Sequence, residues 1–106
     1  MRRGEVWWAE LPVPAGRRPV VLLSRDAAYD SRTSVTVAPV TRTIRNIPAE
    51  VLLGPEDGLP TKCVVNLDDI VTTRKSRLTE RITALSQVKL TAVAKAVIFA
   101  LDLNRP

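Results

Sequence analysis

Histidine is absent from this 106-residue chain, so imidazole acid–base pairs and histidine metal sites are excluded. The single cysteine, Cys63, lies among β-branched residues with no histidine to activate it, and reads as a core residue. No glycine-rich phosphate loop occurs, because the four glycines are scattered. Asp68 and Asp69 are adjacent, and neighbours on a strand point to opposite faces, so they read as a solvated turn rather than a metal pair. Arginine, threonine and serine remain. They suffice for one reaction class, the attack of an RNA 2′-hydroxyl on its own phosphate. There the substrate supplies the nucleophile, a guanidinium meets the developing charge with a bidentate fork, and a hydroxyl donates to a non-bridging oxygen. That chemistry demands neither metal nor cofactor.

The charge balance agrees with an anionic partner. Sixteen Lys and Arg against eleven Asp and Glu leave a net charge of +5, and clustered cations displace counterions from phosphates. The clusters are Arg17–Arg18, TRTIR at 41–45 and TTRKSR at 72–77, each beside an expected strand end. With only four aromatic residues, a platform that stacks several bases in a row is poorly supported. Trp7 and Trp8 are neighbours in an expected strand, so one should face the core and the other outward, as a base-stacking or protein-contact residue.

These groups need elements to hold them. The length suits one domain with one core. Strands are expected at 5–10, 19–24, 33–40, 49–53 and 63–67, with 69–72 continuing the fifth after a break and 81–85 as a short candidate strand. A turn through Pro12, Pro14 and Gly16 separates the first two, and GPEDGLP closes the fourth. PVVLLS is nearly all apolar and therefore central, with Pro19 at its mouth; Pro39 suggests a bulge or an edge. From Ser86, an expected N-cap, the period changes. Val88, Leu90, Val93, Ala94, Val97, Ile98 and Leu101 mark a helix over 86–103, ended by Asn104, Arg105 and Pro106. VIFALDL is apolar nearly all round and must bury several faces, against the sheet or a second copy. The expected class is mainly β with α, a small bent barrel of five to seven short strands with a C-terminal helix at its side. No apolar run is long enough for a membrane helix, MRRGEVWWAE lacks a signal peptide's apolar stretch, and an unpaired cysteine favours a reducing compartment, so a cytoplasmic protein is expected.

RGEVWWAEL, RRPVVLLSRDAAY, VAPVT and VVNLDDIVTTRKSRL, followed by the helix, resemble in that order the MazF/PemK toxins of type II toxin–antitoxin systems. The resemblance runs from Arg3 to about Leu103. It implies an SH3-like (PemK/CcdB-like) barrel, a homodimer, and metal-independent, sequence-specific cleavage of single-stranded RNA to 2′,3′-cyclic phosphate and 5′-hydroxyl ends. mRNA is the first expected substrate, with tRNA or rRNA as alternatives. It gives catalytic roles to Arg18, before the proline of RPV, and to Thr41, closing the third strand, and places Ser24 near the pocket. Some plasmid-borne members carry an Arg and an Asp, two apart, after the VV pair. Asn66 and Asp68 stand there, so only the acid matches; Arg18 takes the acid–base role with Asp68 as helper. Because an arginine pKa exceeds about 12, water is the other proton carrier. RNA contacts are expected from Arg17, Ser24, Trp7, Trp8, Asn66, Arg74, Lys75 and Arg77. The loop ELPVPAGRRP is shorter than in many members, so recognition length does not carry over. A cognate antitoxin is implied, whose acidic flexible segment would occupy the RNA groove, drawn by Arg18, Arg74, Lys75 and Arg77 and anchored on Trp7 or Trp8. A non-catalytic toxin on the same barrel, like the gyrase poisons, and an inactive member are the alternatives.

Overall fold

A computed structural model describes residues 1–105. The strands are β1 (Glu5–Glu10), β2 (Arg17–Leu22), β3 (Ser34–Thr41), β4 (Glu50–Leu53), β5 (Cys63–Asn66), β6 (Val71–Arg74) and β7 (Leu78–Ala84). The helices are α1 (Ala28–Ser31) and α2 (Gln87–Ala100). The sheet order is β4-β5-β3-β2-β1-β7, with β6 on β3, and every pairing is antiparallel. One strand bends the whole. β3 pairs with β6 through Ser34–Val37, with β2 through Val37–Pro39, and with β5 through Val40 and Thr41. The result is a small SH3-like barrel with a terminal helix, as expected, its seven strands at the upper end of the five to seven anticipated.

VVLL is apolar because β2 is covered on both faces. Val21 joins Val6, Ala38, Val40 and Val65 in a core beneath α2, where Val93 and Ala96 close it. Val20 and Leu22 point the other way, to a second core with Ala9, Val35, Val37, Tyr29 and Leu78. Fully burying one such aliphatic side chain contributes roughly 1.5–3 kcal/mol. Val21 is 0% exposed, so Val21→Ala would open a cavity in the larger core.

Several boundaries differ from expectation. β2 starts at Arg17, so both arginines lie within the strand rather than at its mouth, and it ends at Leu22 rather than Ser24. Pro39 carries no bulge; it occupies the last β2–β3 pair, opposite Val20. The bulges lie between β1 and β7, at Val6/Trp7 and Trp8/Ala9. β7 begins at Leu78, before the expected 81, because LTERITA pairs only with β1 and shows solvent a polar face that hides its pattern. β6 is a separate strand after a 3-10 turn at Leu67–Asp69. The single turn α1 is too short to carry a period, and it had no signal in the sequence.

α2 begins where expected, with Ser86 Oγ accepting from the Lys89 N–H at 3.2 Å. It ends earlier, at Leu101. Asp102 takes a left-handed φ of 54°, and the Asp102 and Leu103 N–H groups return to Phe99 O (3.1 Å) and Ile98 O (2.9 Å). That Schellman-type end satisfies the last carbonyls; Pro106, expected to help end the helix, lies outside the described residues. The buried stripe runs through Leu90, Val93, Ala96, Val97 and Ala100, while Val88 is 77% exposed. A helix apolar nearly all round does not encode which face is inward. No helix among the described residues is long and apolar enough to cross a membrane.

Candidate functional site

A cleft of about 740 Å³ opens where β2 and β3 diverge. Their pairing ends at Val20–Pro39, after which β3 turns to pair Val40 and Thr41 with Val65 and Val64 of β5. Proline has no N–H to give a ladder, and Pro19 and Pro39 fall at this fork. Arg17, Arg18 and Pro19 border the cleft on one side, and Val40, Thr41, Arg42 and Thr43 on the other. Trp8, Leu59, Pro60, Thr61 and Cys63 complete the lining. Arg17 and Arg18 leave the strand on opposite faces, yet both reach the cleft because it lies at the strand's end.

Each arginine is held differently. The half-buried Arg18 donates from Nε to Ala15 O at 3.1 Å, within the turn that Leu11 N–H closes on Gly16 O. Its Nη groups make no hydrogen bond to another described residue, so the fork is available to a ligand. Arg17 donates from Nε to Glu10 Oε1 at 3.1 Å and lies over the Trp8 ring, 4.3 Å from its centroid. Arg42 is exposed, and its side chain pairs with no other described residue. The loop after it is tied back by Glu50, whose Oε1 accepts from the Arg45 and Asn46 N–H groups at 2.9 and 3.1 Å.

Thr41 is set as a donor. The Thr43 N–H donates to Thr41 Oγ1 at 3.2 Å, which occupies a lone pair and leaves the hydroxyl hydrogen free. The far wall depends on the 3-10 turn Pro55–Asp57, where Asp57 Oδ2 accepts from Gly54 N–H at 3.0 Å and pairs with Lys89 at 3.5 Å. Gly58 then takes a φ of +94°, and a Cβ there would run into Thr83. Only glycine carries the chain past that point to Leu59 and Pro60. Cys63 belongs to the main core as expected, and it also touches the cleft. Burial pushes its thiol up, and the Asp57 and Glu56 carboxylates push the same way, which disfavours a thiolate nucleophile.

Of the sequence candidates, Arg18, Thr41, Arg17 and Trp8 meet in this cleft. Trp7 lies half-buried against the second core and donates from Nε1 to Glu5 Oε1 at 2.9 Å, so Trp8 is the tryptophan at the cleft. The other candidates do not line it. Ser24 Oγ accepts from Thr36 N–H at 2.8 Å, stapling the β2–β3 end. Asn66 is buried and spends its amide on the turn after β5, accepting from Asp68 N–H (2.9 Å) and donating to Asp69 Oδ2 (3.0 Å). Asp68 is exposed on that turn. Lys75 donates from Nζ to Tyr29 O at 2.6 Å, Arg77 from Nη1 to Glu10 O at 3.3 Å, and Arg74 is exposed on β6 opposite Ser34. Asn66, Asp68 and the 74–77 cluster, expected to share the groove, thus lie apart from this cleft. Asn66 is bonded within its own turn, Lys75 reaches across to Tyr29 O, and Asp68 stands off the cleft. Arg42 and Thr43 were signalled only as part of the TRTIR charge cluster, and Leu59, Pro60 and Thr61 only as a turn.

Residues 2–101 match the family described as the PemK-like, MazF-like toxin of type II toxin–antitoxin system. A probable endoribonuclease, MazF5 of Mycobacterium tuberculosis, is 42% identical over 104 residues, covering 97% of this chain and 94% of that protein. Among solved structures, the Mycobacterium tuberculosis toxin MazF-mt6 superposes with a TM-score of 0.86 at 33% identity, covering 92% of this chain and 96% of that one. An endoribonuclease in complex with its cognate antitoxin, from a mycobacterial species, superposes with a TM-score of 0.87 at 28% identity, covering 100% and 99%.

Proposed function

The chain belongs to the PemK-like, MazF-like toxins of type II toxin–antitoxin systems, and on that premise we propose that it is an endoribonuclease acting on single-stranded RNA from one toxin domain. The observation that carries this is the meeting of Arg18 and Thr41 in one cleft with Arg17 and Arg42 beside them. In the reaction the 2′-oxygen bonds to phosphorus as the P–O5′ bond breaks, giving a 2′,3′-cyclic phosphate and a 5′-hydroxyl. Arg18, steadied by Ala15 O, presents its two Nη groups to the non-bridging oxygens. Thr41, its oxygen already accepting from Thr43, donates to one of the same oxygens. In this reading water takes the 2′-OH proton and gives one to the leaving 5′-oxygen, and is preferred to Asp68 because Asp68 does not line the cleft. RNA supplies the nucleophile, so no metal or cofactor is invoked. mRNA is the first candidate substrate, then tRNA or rRNA.

Two partners belong to this reading. One is a cognate antitoxin with an acidic segment competing for the cationic cleft. The other is a second copy of the chain, seated on the exposed apolar end of α2. The test of function is incubation with a long single-stranded RNA in EDTA, followed by end mapping. Discrete cuts with 5′-hydroxyl ends are expected. Uncut RNA together with inhibition of DNA gyrase would return the reading to a non-catalytic toxin.

A further inference from the structure

We infer that Glu10, Arg17 and Trp8 form a stacking shelf for a nucleobase beside the scissile phosphate, with Glu10 as the positioning residue that holds the guanidinium flat. The inference rests on the RNA-cleaving reading above and assigns a role within that site. Trp8 and Glu10 are two apart on β1 and so share a face, and Glu10 is the cross-strand partner of Arg17. The strand register thus delivers all three to one rim of the cleft.

The geometry separates plane from charge. The guanidinium carbon lies over the Trp8 ring, 4.3 Å from its centroid, within cation–π range. Its bond to Glu10, 3.1 Å from Nε to Oε1, is made at the edge of the guanidinium, where its donors lie, and the side chain stays half-exposed. A half-exposed pair of this kind, with 48% and 50% of the two side chains accessible, adds little stability. Glu10 also offsets the charge of Arg17, making it a poor phosphate ligand next to Arg18 and Arg42, which have no carboxylate partner among the described residues. What remains is a flat cation over an indole. An arginine plane accepts a base as an aromatic ring does, and the stack is tolerant of base identity. The shelf therefore fixes where the strand sits across the cleft, while Arg18 and Thr41 meet the phosphate.

The test uses an RNA spanning a mapped cut, made uncleavable by a 2′-O-methyl group at the attacking nucleotide. Two analogues carry an abasic residue, one on each side of the cut. With the unmodified protein, one abasic analogue should bind at least about fivefold more weakly than the parent RNA. Arg17→Lys keeps the charge and loses the plane. It should keep the parent's salt dependence while the difference between base and abasic RNA shrinks to within about twofold. Glu10→Gln should reduce that difference partway while adding to the net positive charge. Equal binding of both abasic analogues to the unmodified protein overturns the shelf, and so does full discrimination by Arg17→Lys. Failure of the parent RNA to bind at all would bring down the RNA reading and the shelf with it; normal RNA cleavage with no abasic effect would bring down the shelf alone.

Discussion

Arg18 and Thr41 border one cleft although the strands that carry them stop pairing two residues short of both, at Val20 and Pro39. Continued pairing would have placed them side by side in a closed ladder. The fork at the two prolines instead leaves a cation and a hydroxyl beside an open cleft.

Arg18→Ala should lower cleavage at least about a hundredfold, since a fixed transition-state cation supplies about 3 kcal/mol. The fold should survive, because the side chain makes one hydrogen bond, to Ala15 O. Loss of that bond costs about 1 kcal/mol. Rates on a mapped RNA, with a denaturation midpoint alongside, check both halves. An active Arg18→Ala variant would remove Arg18 from the reaction.

Thr41→Ala should impair cleavage severely, Thr41→Ser should keep part of the rate, and Thr41→Val should behave as alanine. The valine variant preserves the β-branched shape at the strand end but loses the donor that Thr43 orients. Equal rates for the valine variant and the parent would make Thr41 a packing residue.

The chain should be a homodimer. Phe99, Leu101 and Leu103 are 57, 56 and 59% exposed at one end of α2, forming an apolar end that the sheet does not cover. Phe99→Asp or Leu101→Asp should weaken association at least about tenfold. Sedimentation of parent and variants measures this, and a parent that is monomeric at micromolar concentration contradicts it.

The chain has one tyrosine, Tyr29, whose hydroxyl donates to Ser24 O at 2.9 Å. Burial, and then the Asp26 charge, push its pKa from 10.0 up to about 12. The folded state therefore keeps a proton that the unfolded chain loses first. The stability held by the neutral phenol is complete below about pH 10 and falls as pH rises towards about 12, by up to about 2–3 kcal/mol. Tyr29→Phe should be less stable at neutral pH yet lose this part of the alkaline decline. Phenolate absorbance of the parent gives the pKa directly, and a value near 10 would refute the shift.

RNA and the antitoxin segment should compete for the cleft, and raising salt should weaken both, because one set of arginines serves phosphate and carboxylate. Coexpression with the neighbouring open reading frame should abolish cleavage. A stable ternary complex with uncut RNA in the cleft would exclude competition.

The central β2 and the helix cap at Ser86 were legible in the sequence because local rules set them. VVLL is continuous where a strand is covered on two faces, and a serine ahead of an apolar period caps a helix. The arginine and threonine motifs were equally plain, since their order along the chain survives folding. The helix face was not legible. VIFALDL satisfies several faces at once, and only the position of the sheet selects Val93 and Ala96. Nor was the membership of the site. Ser24, Asn66 and Lys75 carry polar groups like those at the cleft, but they lie elsewhere in the fold, bonded to Thr36 N–H, Asp68 N–H and Tyr29 O. Arg17 offered a charge in the sequence; the cross-strand register that brings Glu10 and Trp8 to it turned that charge into a plane. The sequence by itself determined which chemical groups were available and which short elements would bear them, because composition and period act over a few neighbouring residues. Tertiary structure alone decided which of those groups stayed free to meet a ligand, because a polar side chain binds the nearest suitable partner, and nearness across strands is set by register and by the fork at Pro19 and Pro39.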